Sequence, residues 1–168
     1  MKKQIETERK YIIAMPTESA TDTGEFCESE IEQIYLCCAQ GQTHRIRRRS
    51  FPKTIEYTEN IKIRISKMSS IETEREISAE EYSSLSQNID PKTRPLYKKR
   101  CSFLYEGQTV DIDIYPEWKS TAVMEIELPS EDIEPKIPPF IKVIAEVTGQ
   151  RAYSNRAMAA DFPKELYL

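Results

Sequence analysis

Residues 5–13 read IETERKYII, and the fold turns on which way their charges point. Strand side chains alternate between two faces, so in an extended chain Glu6, Glu8 and Lys10 leave one face and Thr7, Arg9 and Tyr11 the other. A solvated outer face is the ordinary reading of such a row. The same pattern recurs along the chain. Arg45, Arg47 and Arg49 share a face in residues 43–50, as do Lys62 and Arg64 in 54–66, and Glu72, Glu74 and Glu76 in 70–77. Lys98 and Arg100 follow in 95–105, Asp111 and Asp113 in 108–115, and Glu125 and Glu127 in 120–128. In the last two, the alternate positions are apolar: Val110, Ile112 and Ile114, then Met124, Ile126 and Leu128.

Seven of eight expected strands, the eighth being 31–39, thus carry like-spaced charges. Most of these strands carry one sign. Ordinary surfaces intersperse the signs. Segregation by strand points to charged faces turned inward around a wet interior, since unpaired charge in a dry one is too costly. Basic strands would grip a polyanion, and acidic strands would hold hard divalent cations. An anion carrying a metal is what a nucleotide or polyphosphate looks like.

Short turns, among them Glu106-Gly107, join the strands without a helix between each pair, so the sheet is expected to be mainly antiparallel. Residues 16–30 are polar and turn-like. Ser78 with Glu81 forms a capping-box pattern that predicts a helix over 79–87, broken at Asp90-Pro91. Phe140, Ile141, Ile144, Ala145 and Val147 fall at helical spacing and predict a second helix ending at Thr148-Gly149.

The chain has 168 residues, the size of one domain spanning 1–168, with 31% charged residues. A net charge of −4 and a pI near 5.3 disfavour a duplex nucleic-acid binder. No apolar run is long enough to cross a membrane, and MKKQIETERK lacks the apolar core of a signal peptide, so a cytoplasmic protein is expected. Four glycines supply neither a Gly-rich phosphate loop nor a dinucleotide fingerprint. Cys27, Cys37, Cys38 and Cys101 match no zinc spacing and are expected to be reduced packing residues. The single histidine, His44, reads as an ordinary strand-end residue. Trp118 lies in a turn and is expected to be exposed.

The motifs, in order, resemble the CYTH superfamily, the triphosphate tunnel metalloenzymes. They are ETERK at residues 6–10, RIR at 45–47, TENIK ending at Lys62, ETE at 72–74, YKKR ending at Arg100, DIDIY, EIEL and EVTGQRAYSN. The resemblance implies a mainly β, α+β fold, a closed eight-stranded antiparallel barrel with a few peripheral helices. Its tunnel would bind a triphosphate with Mg²⁺ or Mn²⁺. Members include inorganic, thiamine and RNA triphosphatases and class IV adenylyl cyclases. By this likeness Glu6, Glu8, Glu125 and Glu127 are metal ligands, with Glu74 and Asp113 a second metal-side cluster that Glu72 assists. Lys10, Arg45, Arg47, Lys62, Lys98 and Arg100 grip the phosphates, and Arg151 and Tyr153 close the mouth. Lys10, Glu6, Glu8 and Glu127 would carry catalysis.

This chain has IRISKMSS where many members have a glycine-rich turn, which makes Lys67 a competitor for the role of Lys62. It also lacks the His-Phe that precedes E-x-E-x-K in class IV cyclases. The expected activity is hydrolysis of triphosphates, inorganic triphosphate first, by a monomer or homodimer. The alternatives are a cyclase forming cyclic AMP and pyrophosphate from ATP, and a non-catalytic polyphosphate-binding module.

Overall fold

In the computed structural model, residues 2–17 and 26–166 are described, with the side chain of Lys2 excepted. The expected turn over 16–30 thus lies partly outside them. The described chain runs β1 (Lys2–Ala14), β2 (Cys27–Leu36), β3 (Gln42–Ser50), β4 (Ile55–Arg64), β5 (Ser69–Glu76), α1 (Ala79–Ser86), β6 (Leu96–Tyr105), β7 (Gln108–Ile114), β8 (Thr121–Glu127), β9 (Val143–Glu146) and α2 (Asn155–Ala160). It is a mainly-β structure built on one large antiparallel sheet with two helices.

The pairings follow the order β5-β4-β3-β2-β6-β7-β8-β1, and β1 pairs with β5 as well, so they return to the strand where they began. The first strand makes this possible through its length. Its residues 2–7 pair with β5, and residues 8–14 pair with β8. Beyond β5, on that same edge, β9 takes over at Tyr11, Ile12 and Ile13.

Here the structure corrects the sequence reading. The segment expected to be helical up to Thr148-Gly149 instead forms the short strand β9, Val143–Glu146, because β1 offers it backbone groups that β5 no longer reaches. Lys10 O accepts from Val147 N at 2.8 Å, and Ala14 N donates to Lys142 O at 2.9 Å. A helix the sequence did not announce, α2, follows instead, capped where Ala157 N donates to Ser154 Oγ. The second strand begins at Cys27, earlier than expected, and stops at Leu36.

Other local signals hold. Helix α1 has both bonds of its capping box, Glu81 N to Ser78 Oγ at 3.1 Å and Ser78 N to Glu81 Oε2 at 3.0 Å. The β6–β7 hairpin turns at Glu106 (φ 47°) and Gly107 (φ 80°), two consecutive positive values that suit a tight primed turn. Gly149 (φ 72°) lies against Lys67, where an added Cβ would come within 2.9 Å of the lysine Cβ.

Three apolar clusters fix the sheet. The first covers the faces of β1, β6, β7 and β8 opposite the charged ones, with Tyr11, Ile13, Phe103, Val110, Met124 and Ile126, packed against Ile137, Phe140 and Ile141. A second seats Tyr82 and Leu85 of α1 on Ile34, Leu36 and Ile46. The third continues the charged faces themselves. Ile12, Tyr35, Leu96, Tyr115 and Val123 each lie two residues from the end of the inward polar series on their strand and meet Met158 and Ala159 of α2.

Trp118 belongs to this last cluster. It is 4% exposed, against the expectation of an exposed turn residue. Residues 162–163 cover it, and its Nε1 donates to Pro163 O at 3.0 Å. The cysteines also depart from expectation. All four are free, but only Cys101 is buried, since Cys27 opens β2 and Cys37 and Cys38 lie past its end.

Candidate active site

The even positions of β1 and the matching faces of β2 to β8 line one cavity of about 1630 Å³. Cross-strand register places the charges. The order β7, β8, β1, β5 brings together Asp111, Glu125, Glu127, Glu6, Glu8, Glu72 and Glu74. Continuing round, β4, β3, β2 and β6 bring Lys62 and Arg64, then Arg45, Arg47 and Arg49, then the uncharged Gln33 and Tyr35, then Lys98 and Arg100. An acidic arc therefore faces a basic arc across the cavity. Lys10 of β1 is a cation set within the acidic arc.

The cations are held by carboxylates. Lys62 Nζ lies 3.1 Å from Glu6 Oε2 and 2.6 Å from Glu72 Oε1. Lys10 Nζ is 2.8 Å from Glu125 Oε1 and donates to Tyr153 O at 3.4 Å. Arg100 bonds three carboxylates on two strands, donating to Asp113 Oδ1 at 2.6 Å, Asp111 Oδ2 at 2.5 Å and Glu125 Oε2 at 2.8 Å. Lys98 adds a 2.6 Å bond to Asp113 Oδ2. Arg47 and Arg45 stand farther from Glu74 and Glu72, at 3.4 and 3.7 Å.

These contacts set the protonation states. Burial would raise the Glu125 carboxyl, but Lys10 and Arg100 hold it well below its usual range. Asp113 is likewise held down, burial being outweighed by Arg100 and Lys98. Glu6 is pushed up to about 8, first by burial and then by its contact with Glu72, against the pull of Lys62. Burial acts the same way on Glu72, but the contact with Glu6 and the charges of Arg45 and Lys62 bring it below the usual range. Glu127 is raised by desolvation in the cavity wall and by Asp111 and Glu8. Burial lowers Lys98 to about 8, with Arg100 adding to the effect. Burial and the neighbouring Arg45 lower Arg47 to about 10.

The sequence-expected residues are thus distributed as follows. Glu6, Glu8, Lys10, Arg45, Arg47, Lys62, Lys98, Arg100, Glu74, Glu125, Glu127 and Arg151 all line the cavity. Tyr153 lies in a short 3-10 turn, Arg151–Tyr153, and touches Lys10 through its backbone oxygen. Asp113 is not brought beside Glu74. It is fully buried beneath Lys98 and Arg100, and β8 and β1 separate its strand from β5. The carboxylate of that pair that does line the cavity is Asp111. Lys67 stands outside the main cavity, in a small side pocket with Arg64 and Gly149. His44 bonds Glu59 at 2.8 Å and lies away from the cavity.

Arg9 departs to the opposite face, 2.9 Å from Glu134 and 3.6 Å from Glu146. Gln33, Thr58 and Asn60 were missed. The signal available for Gln33 was its place as a polar residue between Ile31 and Tyr35 on one face of β2.

Oxygen donors dominate the acidic arc, which suits a hard divalent cation. Among the described residues no group of three or more His, Cys, Asp or Glu side chains is gathered as a ready-made cage. Two like-charged cross-strand pairs stand out, Glu8 opposite Glu127 and Asp111 opposite Glu125.

No family profile and no curated protein matches the chain. Solved structures do. The inorganic triphosphatase NE1496 is similar over 95% of this chain and 97% of its own, at 26% identity and a TM-score of 0.59. An adenylate cyclase-like protein of Bacillus halodurans shares the fold at 20% identity over 79% of this chain and 84% of its own, with a TM-score of 0.54. An adenylyl cyclase-like protein of Hippeastrum, described by a dominant triphosphatase activity, shares it at 14% identity over 73% and 80%, with a TM-score of 0.53. These neighbours are consistent with the CYTH superfamily.

Proposed function

We propose that the chain is a divalent-metal-dependent hydrolase of triphosphates, acting on inorganic triphosphate, and that its ring of strands is a closed barrel with the cavity as its tunnel. The observation that carries this reading is the pair of opposed arcs on one cavity, cations on β3, β4 and β6 against carboxylates on β1, β5, β7 and β8. Such a surface grips a polyanion on one side and a cation bound to it on the other. The likeness to an inorganic triphosphatase over nearly the whole of both chains supports it.

The residues fit Mg²⁺ or Mn²⁺. Such ions are commonly held by one or two carboxylates together with substrate phosphates, which matches opposed glutamates better than a full protein cage. Glu8 and Glu127 would hold the ion, with Glu6 and Asp111 beside them. When bound, it would offset charge on the phosphates and help to generate a nucleophile from water.

The chain's own groups do the remaining work. Arg45 and Arg47 present guanidinium forks to phosphoryl oxygens, while Lys62, Lys98 and Lys10 act as point charges. Arg100, fixed by three carboxylates, keeps Asp111 and Glu125 oriented. Charge building on the transferring group is met by cations already in place, which is where most of the rate enhancement in phosphoryl transfer arises. Trp118 is sealed in the apolar cluster beside α2 and reads no base, which favours the inorganic substrate over a nucleotide.

The test is phosphate release from inorganic triphosphate, ATP and thiamine triphosphate, with and without Mg²⁺ or Mn²⁺. Metal-dependent orthophosphate release, abolished in Glu127→Gln with the fold intact, is expected. Release without divalent metal, or cyclic AMP with pyrophosphate from ATP, would overturn it.

A further inference from the structure

Apart from Arg9 Nε on the opposite face, the buried side-chain nitrogen and oxygen atoms without a hydrogen-bond partner, among the described residues, all belong to residues lining the cavity. They are both amide atoms of Gln33, Nε of Arg45 and of Arg47, Thr58 Oγ1, Asn60 Oδ1 and Glu72 Oε1. Glu72 Oε1 is compensated by Lys62 at 2.6 Å. The rest are not. A buried polar group left unpaired costs about 1–3 kcal/mol, so a cluster of them calls for an explanation.

Their arrangement supplies one. Gln33 stands directly opposite Arg47, and Arg47 directly opposite Thr58. Arg45 stands directly opposite Asn60. Each arginine has an Nε–H without an acceptor, beside an amide whose oxygen lacks a donor. The missing partners are complementary, and both pairs sit on the basic arc. Gln33 is 1% exposed and lies in β2, the strand of that arc without an inward charge. Four arginines, Arg45, Arg47, Arg49 and Arg100, already crowd this wall. A further cation there would repel them, whereas an amide adds a donor at no charge.

We propose that Gln33 is a further ligand-binding residue of the cavity. With a phosphoryl group seated on Arg47, the Gln33 amide donates from Nε2 to a phosphoryl oxygen and accepts the Arg47 Nε–H on Oε1. That second bond sets the guanidinium fork toward the ligand. Thr58 flanks the same fork from β4, its hydroxyl free to donate. Asn60 stands to Arg45 as Gln33 does to Arg47, but its Nδ2 also holds Glu72 at 2.9 Å, so Gln33 is the cleaner position to test. This assignment rests on the triphosphate reading.

The experiment compares wild type with Gln33→Met, which keeps the volume and removes the amide. Three quantities are read: Tm without ligand, the rise in Tm on adding inorganic triphosphate with Mg²⁺, and KM and kcat for phosphate release. The amide has no partner to lose, so the unliganded Tm is expected to hold or rise. The triphosphate-induced rise shrinks, and KM increases about tenfold while kcat changes less, as for loss of a hydrogen bond to a charged group. A lower unliganded Tm with unchanged KM and unchanged ligand-induced rise would mark Gln33 as structural and overturn the proposal. If Gln33→Met does not fold, Thr58→Val is read by the same criteria. A wild type that neither gains Tm from triphosphate nor releases phosphate overturns the triphosphate reading itself, and this assignment with it.

Discussion

Glu8 of β1 and Glu127 of β8 are direct partners across the antiparallel ladder, two carboxylates where opposite charges would be stabilising. Their neighbours two residues on, Lys10 and Glu125, form the complementary pair, 2.8 Å apart. The sheet therefore tolerates repulsion at one position while satisfying the next.

A divalent cation between them is the simplest relief. Mg²⁺ or Mn²⁺ is expected to raise the Tm of the wild-type protein, since an ion that binds only the folded chain stabilises it by mass action. Glu127→Gln removes the repulsion, so its Tm without divalent ions should equal or exceed that of wild type, and the metal-induced rise should fall away. A metal response that survives Glu127→Gln would remove this pair from the cation site.

The pH dependence follows from Glu6. Its pKa is raised from 4.5 to about 8, so between those values the folded chain binds a proton that the unfolded chain has released. Stability should thus decline as pH rises through that window. Glu72 is shifted the other way and titrates only on the acid side. Thermal melts without divalent ions, from pH 5 to 8, should show Tm falling in wild type and a shallower fall in Glu6→Gln. On the proposed site, where Glu6 stands beside the ion, the Tm rise caused by Mg²⁺ should grow with pH in wild type, because a cation and a proton on neighbouring carboxylates would oppose each other.

Much of this site was legible in the chain because the side-chain period of a strand is two. Parity alone places Glu6, Glu8, Lys10, Arg45, Arg47, Lys98, Glu125 and Glu127 on one face, and the structure puts that face on the cavity. Parity cannot choose between Asp111 and Asp113, which share a face. Depth decides, and depth depends on Arg100 and Lys98 folding over Asp113. Strand β9 was hidden because its four residues carry apolar spacing that suits a helix, and its pairing depends on how far β5 runs along β1. Trp118 was misplaced because the residues that bury it, Phe162 and Pro163, lie more than forty positions away. Gln33 gave no comparable charge signal, because it is uncharged and its strand has no charge facing inward.

Arg9 and Lys10 separate the two faces of β1 by experiment. Arg9 holds Glu134 and Glu146 on the outer side, contacts of the kind that contribute about 0–1 kcal/mol. Arg9→Ala should leave kcat/KM for triphosphate within about twofold of wild type and lower the Tm slightly. Lys10→Ala removes a cation from the cavity and leaves Glu125 with one partner fewer, and phosphate release should fall by orders of magnitude. Comparable losses in the two variants would mean that β1 does not present its even positions to the substrate.

The Glu165 carboxylate ties residues 162–166 to the turn before β8. Glu165 Oε1 accepts from the backbone N–H of Lys119, Ser120 and Thr121, at 3.0, 2.6 and 2.8 Å, and from the hydroxyls of Ser120 and Thr121. This fastens residues 162–163 over Trp118, and through the same cluster seats α2. Desolvation works against the charged carboxylate, but the backbone donors outweigh it and hold its pKa at about 2. A depressed folded value gives stability that is complete above the unfolded pKa near 4.5 and is lost as pH falls toward 2. Glu165→Gln keeps an acceptor oxygen but loses the charge, so it should lower the Tm at pH 7 and flatten the fall in Tm between pH 4.5 and 2.5. Tryptophan fluorescence reports the clasp directly. The emission of Trp118 should shift to longer wavelength in Glu165→Ala at neutral pH, and in wild type only on acidification. An unchanged emission in Glu165→Ala would show that the aromatic contacts of Phe162 hold the segment without the carboxylate.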